Sequence, residues 1–455
     1  MNGDLTRGPI PGRVLAMAAP IAIGMLFQTL YYLVDLYFVG RLGEHAIAGV
    51  GAAGNLSFVV LALTQVLAVG CMALIAQATG RSDRDDARLV FNQTLSLAGV
   101  FVAGTLVLGY ALAGAYMRGL GADAESAAQG LEYLRWYLPG LALQFPLVAM
   151  SSALRGTGIV KPAMVVQVLT VLINAALAPV LIAGWGTGRP LGVAGAGLAT
   201  TLAILIGVVI LWRIFERMEH TVAVDRALLA PRMREWRRIL RIGTPSGAEF
   251  MLMFVYLVVI YAAIRPFGAE AQAGFGIGQR VMQAMLLPIM AVAFATAPVA
   301  GQNFGAGSFD RVRQTFRFAA LFGGALMLLL TLFCQWRPAV LIDAFTDDAG
   351  VVKIGAEFLS IISWNFVPSA LIFTCSGMFQ GLGHTLPSMI ASASRLVTFV
   401  VPLTLLSHAQ HFDIRTVWYL SLATTMLQAL ISLALLRREL GLRLSPTVAA
   451  ASGAG

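Results

Sequence analysis

The sequence predicts an all-α membrane protein, with twelve transmembrane helices in two six-helix bundles related by a pseudo-two-fold axis along the membrane normal. Three observations carry this. Of 455 residues, 58% are hydrophobic and only 12% charged, against roughly 25% charged in a soluble domain. No soluble fold of this length could hide so much apolar surface. The apolar residues fall into twelve segments, each near the ~20 residues that cross a bilayer as a helix. Finally, the chain overlays itself at one fixed offset.

Apolar runs, read against Pro, Gly and charged breakers, place the spans at 14–39, 46–77, 89–117, 128–155, 162–184, 193–215, 238–264, 272–300, 313–337, 354–380, 386–407 and 415–437. The first is too long for a cleavable signal peptide and ends in Asp35, Arg41 and Glu44. Arg and Lys sort by loop. One side holds Arg7, Arg13, Arg81, Arg84, Arg88, Arg155, Lys161, the run from Arg213 to Arg241, Arg311, Arg313, Arg317, Arg437, Arg438 and Arg443. The other holds Arg41, Arg118, Arg189, Arg265, Arg337, Lys353 and Arg415. The rich side is the cytoplasmic one. The expectation is a multi-pass protein of the bacterial cytoplasmic (inner) membrane with both termini inside. Its domains are an N-terminal bundle over 1–215, a basic linker over 216–237, a C-terminal bundle over 238–444 and a disordered Ala/Gly-rich tail over 445–455.

The net charge of +9 does not point to nucleic acid, because the basic residues sit in short loops between spans. Cys71, Cys334 and Cys375 lie in or beside apolar stretches and form neither a disulfide framework nor a metal-site spacing.

The repeat is specific. At an offset of 225 residues, Pro20 meets Pro245, and Gly43, Ala46, Gly49 and Gly51 meet Gly268, Ala271, Gly274 and Gly276. Gln77, Gly80, Arg88 and Phe91 meet Gln302, Gly305, Arg313 and Phe316; Glu132 meets Glu357; Gly156, Gly158, Pro162 and Met164 meet Gly381, Gly383, Pro387 and Met389. Apolar low complexity would not align such punctuation. Six spans per copy is an even number, so both copies enter from the same side, as in parallel-repeat transporters that rock one half against the other. Glycines 80 and 305 suit sharp helix exits, and the Asp and Arg residues after them read as a solvated, charged turn.

The first span runs from Pro20 through LFQTLYYLVDLYFVGRLG, the second ends in AQATGRSDRDDARLVF, and the eighth ends in GQNFGAGSFDRVRQTF. The links LRGTGIVKP and FQGLGHTLP and the opening GVAGAGLATT of the sixth span complete the set. In this order, over nearly the whole chain, the motifs resemble the multidrug and toxic compound extrusion (MATE) family of the multidrug/oligosaccharidyl-lipid/polysaccharide exporter superfamily. The resemblance implies an exporter of amphipathic or cationic small molecules, without a cofactor, driven by inward flow of H+ or Na+.

It also implies roles. Asp35, a carboxylate inside a span and therefore expensive there, matches the family position that binds the coupling cation, including sodium, the one metal candidate. Asn174 and Thr200 match the Asn that organises that site and the Thr of the family's AT pair. Proton-coupled members often carry an acid four residues after this Asn; here it is Ala178. Family members with a cation site in the second half use acids in the seventh and tenth spans, where this chain has FVYLVV and NFVPSA. That favours protons acting through Asp35.

The residues alone add more candidates. Glu249, in the seventh span, has Gly24 as its repeat partner, so it is not a duplicated scaffold feature. Arg280 is the cation expected to pair with it, and Arg395 is another embedded cation. Glu249, Arg280, Gln28 and Tyr31 are candidates for ion or substrate handling, with interhelical hydrogen bonding as the plainer role for the amides. Pro20 shares a helix with Asp35 and is a candidate hinge. The alternative function is a flippase for a lipid-linked precursor, which would want a phosphate-binding cavity; only Arg135, Arg280 and Arg395 lie inside spans to build one. An enzyme is not expected, because His45, His220, His384, His408 and His411 form no catalytic cluster. The protein is expected to be a monomer in the bilayer.

Overall fold

A computed structural model describes residues 3–119, 123–186, 188–217, 222–407 and 412–444, with the backbone alone described over 31–36. These residues are helical almost throughout. The helices are α1 (Ile10–Gly40), α2 (Glu44–Gly54), α3 (Leu56–Gly80), α4 (Arg84–Gly119), α5 (Ala124–Gly156), α6 (Lys161–Ile182), α7 (Gly192–Arg217), α8 (Met233–Ile264), α9 (Ala269–Gly305), α10 (Phe309–Trp336), α11 (Pro338–Asp343), α12 (Ala349–Ile362), α13 (Phe366–Gly381), α14 (Leu386–Leu406) and α15 (Ile414–Arg443). Among them are twelve segments long and apolar enough to span a bilayer.

Two spans are broken where the sequence reading had single helices. The second divides into α2 and α3 at Asn55, after the glycine-rich run Gly49, Gly51, Gly54, where weak helix propensity lets the axis change. The tenth divides into α12 and α13 through a 3-10 turn at Ser363–Asn365. Pro368 follows and has no N–H to return to residue 364, which favours the tighter turn. The short α11 lies in a stretch expected to be loop.

The chain forms two compact units. One holds residues 23–247 with the N-terminus through Asp4; the other holds 5–22 with the chain from Ala248 onward. Thus α1 changes unit two residues after Pro20, and α8 changes unit two residues after Pro245.

Within each unit the same contacts recur at the sequence offset. Helices in lipid gain little from apolar burial, so they pack where small residues let backbones approach. A Cβ on Gly49 would lie 2.4 Å from the Ser126 oxygen and 2.8 Å from the Gly130 nitrogen; one on Gly274 would lie 3.0 Å from the Val351 oxygen and the Gly355 nitrogen. Every member of the second set stands 225 residues after its counterpart. Gly156 against Met72 and Gly381 against Ala297 form another such pair. Asp123 caps α5 and Asp348 caps α12, again as counterparts. The Ser126 N–H and hydroxyl, bonded at 2.8 and 2.7 Å, hold the Asp123 carboxyl down at about 2.

The motifs after α3 and α9 are largely the exposed, charged turns expected of them, but Asp86 and Arg311 also make specific contacts. Asp86 takes Arg238, from the start of α8, in a two-pronged ion pair of 2.6 and 2.8 Å and also accepts from Arg81 at 3.0 Å. Its counterpart at the offset is Arg311. That guanidinium donates to Asn303 Oδ1 at 2.7 Å and to the Gly8 carbonyl at 2.9 Å, while Gln302 Oε1 accepts from the Leu5 N–H at 2.9 Å. Each motif therefore grips the approach to a long helix, and the grip is ionic in one unit and mostly carbonyl-directed in the other. Asn92 and Gln93 on α4 fix the central linker. Asn92 bonds Ala223 and Asp225 at 2.8 Å each, and Gln93 bonds Leu228, Ala230 and Arg232 at 2.6, 2.8 and 2.8 Å. Side chains satisfying backbone groups in this way hold an irregular segment in place.

One counterpart pair gives a stability test. Ser82 has φ 61° where Gly307 has φ 69°, a conformation that costs a non-glycine residue about 1 kcal/mol. Ser82→Gly should raise the midpoint of thermal unfolding and Gly307→Ser should lower it, read by a thiol-reactive dye that reaches the three buried cysteines only on unfolding. A lower midpoint for Ser82→Gly would refute the strain.

Candidate functional site

Two polar rungs organise the first unit, where α1, α6 and α7 come together. Gln167 Nε2 on α6 donates to Gln28 Oε1 on α1 at 3.0 Å. Seven residues further along α6, the Asn174 amide donates to Thr200 Oγ1 on α7 at 3.3 Å. Asn174 and Thr200 are both buried, and Asn174 Oδ1 is a buried acceptor with no partner among the described residues. Seven residues are about two turns, roughly 10 Å of axial rise. The structure thus joins two residues picked from sequence, Asn174 and Thr200, and ties a third, Gln28, to Gln167, which sequence reasoning missed. The side chains of Asp35 and Tyr31 lie outside the described residues. Ala178, one turn beyond Asn174, is fully buried. Pro20 is buried within α1.

In the second unit Glu249 is buried, 7% exposed. Ser388 Oγ on α14 donates to its Oε1 at 2.8 Å, and Ser376 Oγ on α13 lies 3.3 Å from both carboxylate oxygens. Gln380 Nε2 in turn donates to Ser376 Oγ at 3.3 Å. The expected ion pair with Arg280 does not form. Arg280 is exposed on α9 and makes no hydrogen bond or ion pair among the described residues. Helices α8 and α9 are not packed neighbours: α9 meets the short turn Arg265–Phe267 before it, and its long partners are α10, α12 and α13. Among the described residues Glu249 is accordingly held by neutral donors alone.

The two units share a register. Gln28 and Gln167 are 139 residues apart, as are Glu249 and Ser388. Tyr256 and Arg395 are separated by the same 139 positions, and the Arg395 guanidinium sits 4.1 Å from the Tyr256 ring centroid. Positions 35 and 174 are also 139 apart. The α1–α6 and α8–α14 pairs are therefore the same parallel helix pair built twice. The legible signal was the seven-residue spacing of polar positions, 28 and 35 on α1 and 167 and 174 on α6. No group of three or more His, Cys, Asp or Glu side chains among the described residues is arranged to hold a metal ion.

A model of the MatE family matches residues 20–180 and 245–406. The chain belongs to the MatE family. The two matched segments start 225 residues apart, at 20 and 245, which is the offset of the internal repeat. Among curated relatives, a probable multidrug resistance protein NorM of Thermotoga maritima is 29% identical over 398 residues, covering 86% of this chain and 84% of that protein. A FAD transporter of Shewanella oneidensis is 24% identical over 410 residues, covering 88% and 89%. Among solved structures, a transporter of the MOP superfamily from Pyrococcus furiosus superposes with a TM-score of 0.89 at 26% identity, covering 98% of this chain and 99% of that one. This MatE protein is a multi-pass membrane protein of the twelve-helix transporter architecture.

The neutral cage around Glu249 makes a prediction. Glu249→Gln keeps an acceptor for Ser388 and removes a charge that nothing nearby offsets. The purified variant should melt at or above the wild-type temperature, measured in detergent at neutral pH. A fall of several degrees would contradict the neutral-cage account.

Proposed function

We propose that this MatE protein is a secondary active multidrug efflux transporter of the bacterial inner membrane, with both termini cytoplasmic. It exports amphipathic or cationic small molecules by alternating access, in antiport with protons, and acts as a monomer. Family membership and the names of the relatives support export. The observation that carries the coupling site is the buried Asn174–Thr200 bond with its unpartnered Oδ1, one rung above Gln28–Gln167. Position 35 precedes Asn174 by the same 139 residues that separate the bonded pair Gln28 and Gln167, which supports taking Asp35 as the carboxylate of this site. Protonated, a carboxyl group at that level can donate to a waiting amide oxygen; ionised, it must be hydrated or bind a cation. Gln28 and Tyr31 flank the site along α1, while Glu249 and Arg280 handle ions or substrate in the second unit.

The two bundles, 1–215 and 238–444, move about the basic linker 216–237, and Pro20 is the hinge of α1. The change of unit just after Pro20, echoed after Pro245, supports that role, since proline removes one helical hydrogen bond and loosens the turn before it.

Uptake of a fluorescent cationic dye into proteoliposomes, with proton and sodium gradients imposed separately, tests the proposal. A proton gradient alone should drive transport, and Asp35→Asn should lower the rate at least ~100-fold, as loss of an essential proton carrier does, while the protein still inserts. Strict dependence on sodium would overturn proton coupling, and full activity of Asp35→Asn would remove Asp35 from the mechanism.

A further inference from the structure

Arg395 is an embedded charge that the coupling site does not use. It lies nine residues into the 21-residue α14, near the middle of a span. Its guanidinium stacks on Tyr256 of α8 at 4.1 Å, and Tyr256 is pinned by a 2.8 Å bond from its hydroxyl to Ser421 Oγ. Phe399 closes on the same ring at 4.9 Å. No acid among the described residues pairs with Arg395, and its Nε is buried without a hydrogen-bond partner. One turn away, Gln428 donates to Ser392 Oγ at 3.1 Å and leaves its own Oε1 buried and unpartnered. The acid next along α8, Glu249, is seven residues from Tyr256, about 10 Å along the axis, and is already taken by Ser376 and Ser388.

A guanidinium at mid-bilayer depth is costly unless it meets an anion or water. Stacking over an aromatic face satisfies the flat side of the group and leaves its N–H edge, the edge that takes an oxyanion through two parallel hydrogen bonds. The counterpart of Arg395 in the first unit is Thr170, and the counterpart of Tyr256 is Tyr31. The ring position is therefore duplicated and the cation is not.

We propose that Arg395, held on Tyr256, is an oxyanion-binding subsite of the second unit, which takes the carboxylate or phosphate of an amphipathic aromatic compound and so admits zwitterionic and anionic cargo. The proposal rests on the exporter reading and extends its substrate class beyond cations. A lipid headgroup could offer the same oxyanion; the partly exposed Tyr256 ring beside the guanidinium favours an aromatic cargo.

The test uses rhodamine 110, which carries a free ring carboxylate, and its methyl ester, rhodamine 123. Both are titrated by fluorescence anisotropy onto the full-length protein in maltoside micelles at neutral pH, and the readout is the ratio of the two affinities in one preparation. Wild type should bind the acid about tenfold more tightly than the ester, the scale of a charge-assisted bidentate contact. Arg395→Gln should bring the ratio to about one, and Arg395→Lys, which keeps the charge but loses the fork, to an intermediate value. Should Arg395→Gln fail to fold, the fall in ratio for Arg395→Lys decides. A ratio near one in wild type, or an unchanged ratio in the variants, overturns the subsite. Added phosphatidylglycerol separates the sources: a cargo site keeps its preference for the acid, and loss of that preference would reassign Arg395 to lipid. Failure of the ester to be transported in proteoliposomes, with the acid preference intact, would count against the multidrug reading and leave the anion subsite standing.

Discussion

Any polar group that these helices carry into the bilayer has to be satisfied inside the protein, because hydrocarbon offers no hydrogen bonds. This constraint accounts for most of what the side chains do. Amides and hydroxyls occur in the spans as cross-helix pairs, such as Gln28 with Gln167, Asn174 with Thr200, and Tyr256 with Ser421. Even the single acid of α8 within the apolar region, Glu249, is met by two serine hydroxyls. Other helix pairs, α2 with α5 at Gly49–Gly130 and α9 with α12 at Gly274–Gly355, are held instead by close backbone approach. Against that background the unpartnered groups stand apart. Asn174 Oδ1 and the Arg395 Nε are two of them, alongside groups such as Ser246 Oγ, Thr374 Oγ1 and Trp418 Nε1.

The duplication separates scaffold from chemistry. Caps, close-packed glycines and turn conformations recur at the 225-residue offset, down to Ser82 standing where its counterpart is a glycine. The rungs between the parallel helix pairs keep their register in both units, yet they differ in residue type. Asp35 and Asn174 have Ile260 and Phe399 as counterparts, and Arg395 has Thr170. One unit thereby acquires an acid and an amide at the level where the other is apolar, while the other acquires a cation one turn away. We read this as a division of labour, with the coupling ion in the first unit and part of the cargo recognition in the second.

The spans and the repeat were legible because hydropathy and punctuation are local properties of the sequence. The family resemblance was legible for the same reason, since its motifs are short and recur in order. Pairings between distant positions were not. Asp86 looked like part of a solvated turn because nothing near it announces Arg238, 152 residues away. Arg280 looked like the partner of Glu249 because their helices are consecutive, but α8 and α9 part company beyond their connecting turn. The serines that do hold Glu249 come from α13 and α14, and Ser is too common in membrane helices to be singled out by type. Among the candidate residues, Asn174 and Thr200 were found together because the resemblance named both; Gln167 was missed, and its seven-residue spacing from Asn174 is the one sequence feature that points to it.

The measurement that bears most directly on the division of labour is proton release on cargo binding. A cationic dye titrated into weakly buffered, detergent-solubilised protein, with a pH indicator as the readout, should release about one proton per bound dye in wild type, as antiport by a single carboxyl group requires, and none in Asp35→Asn. Undiminished release from Asp35→Asn would contradict the account and move the coupling ion out of the first unit.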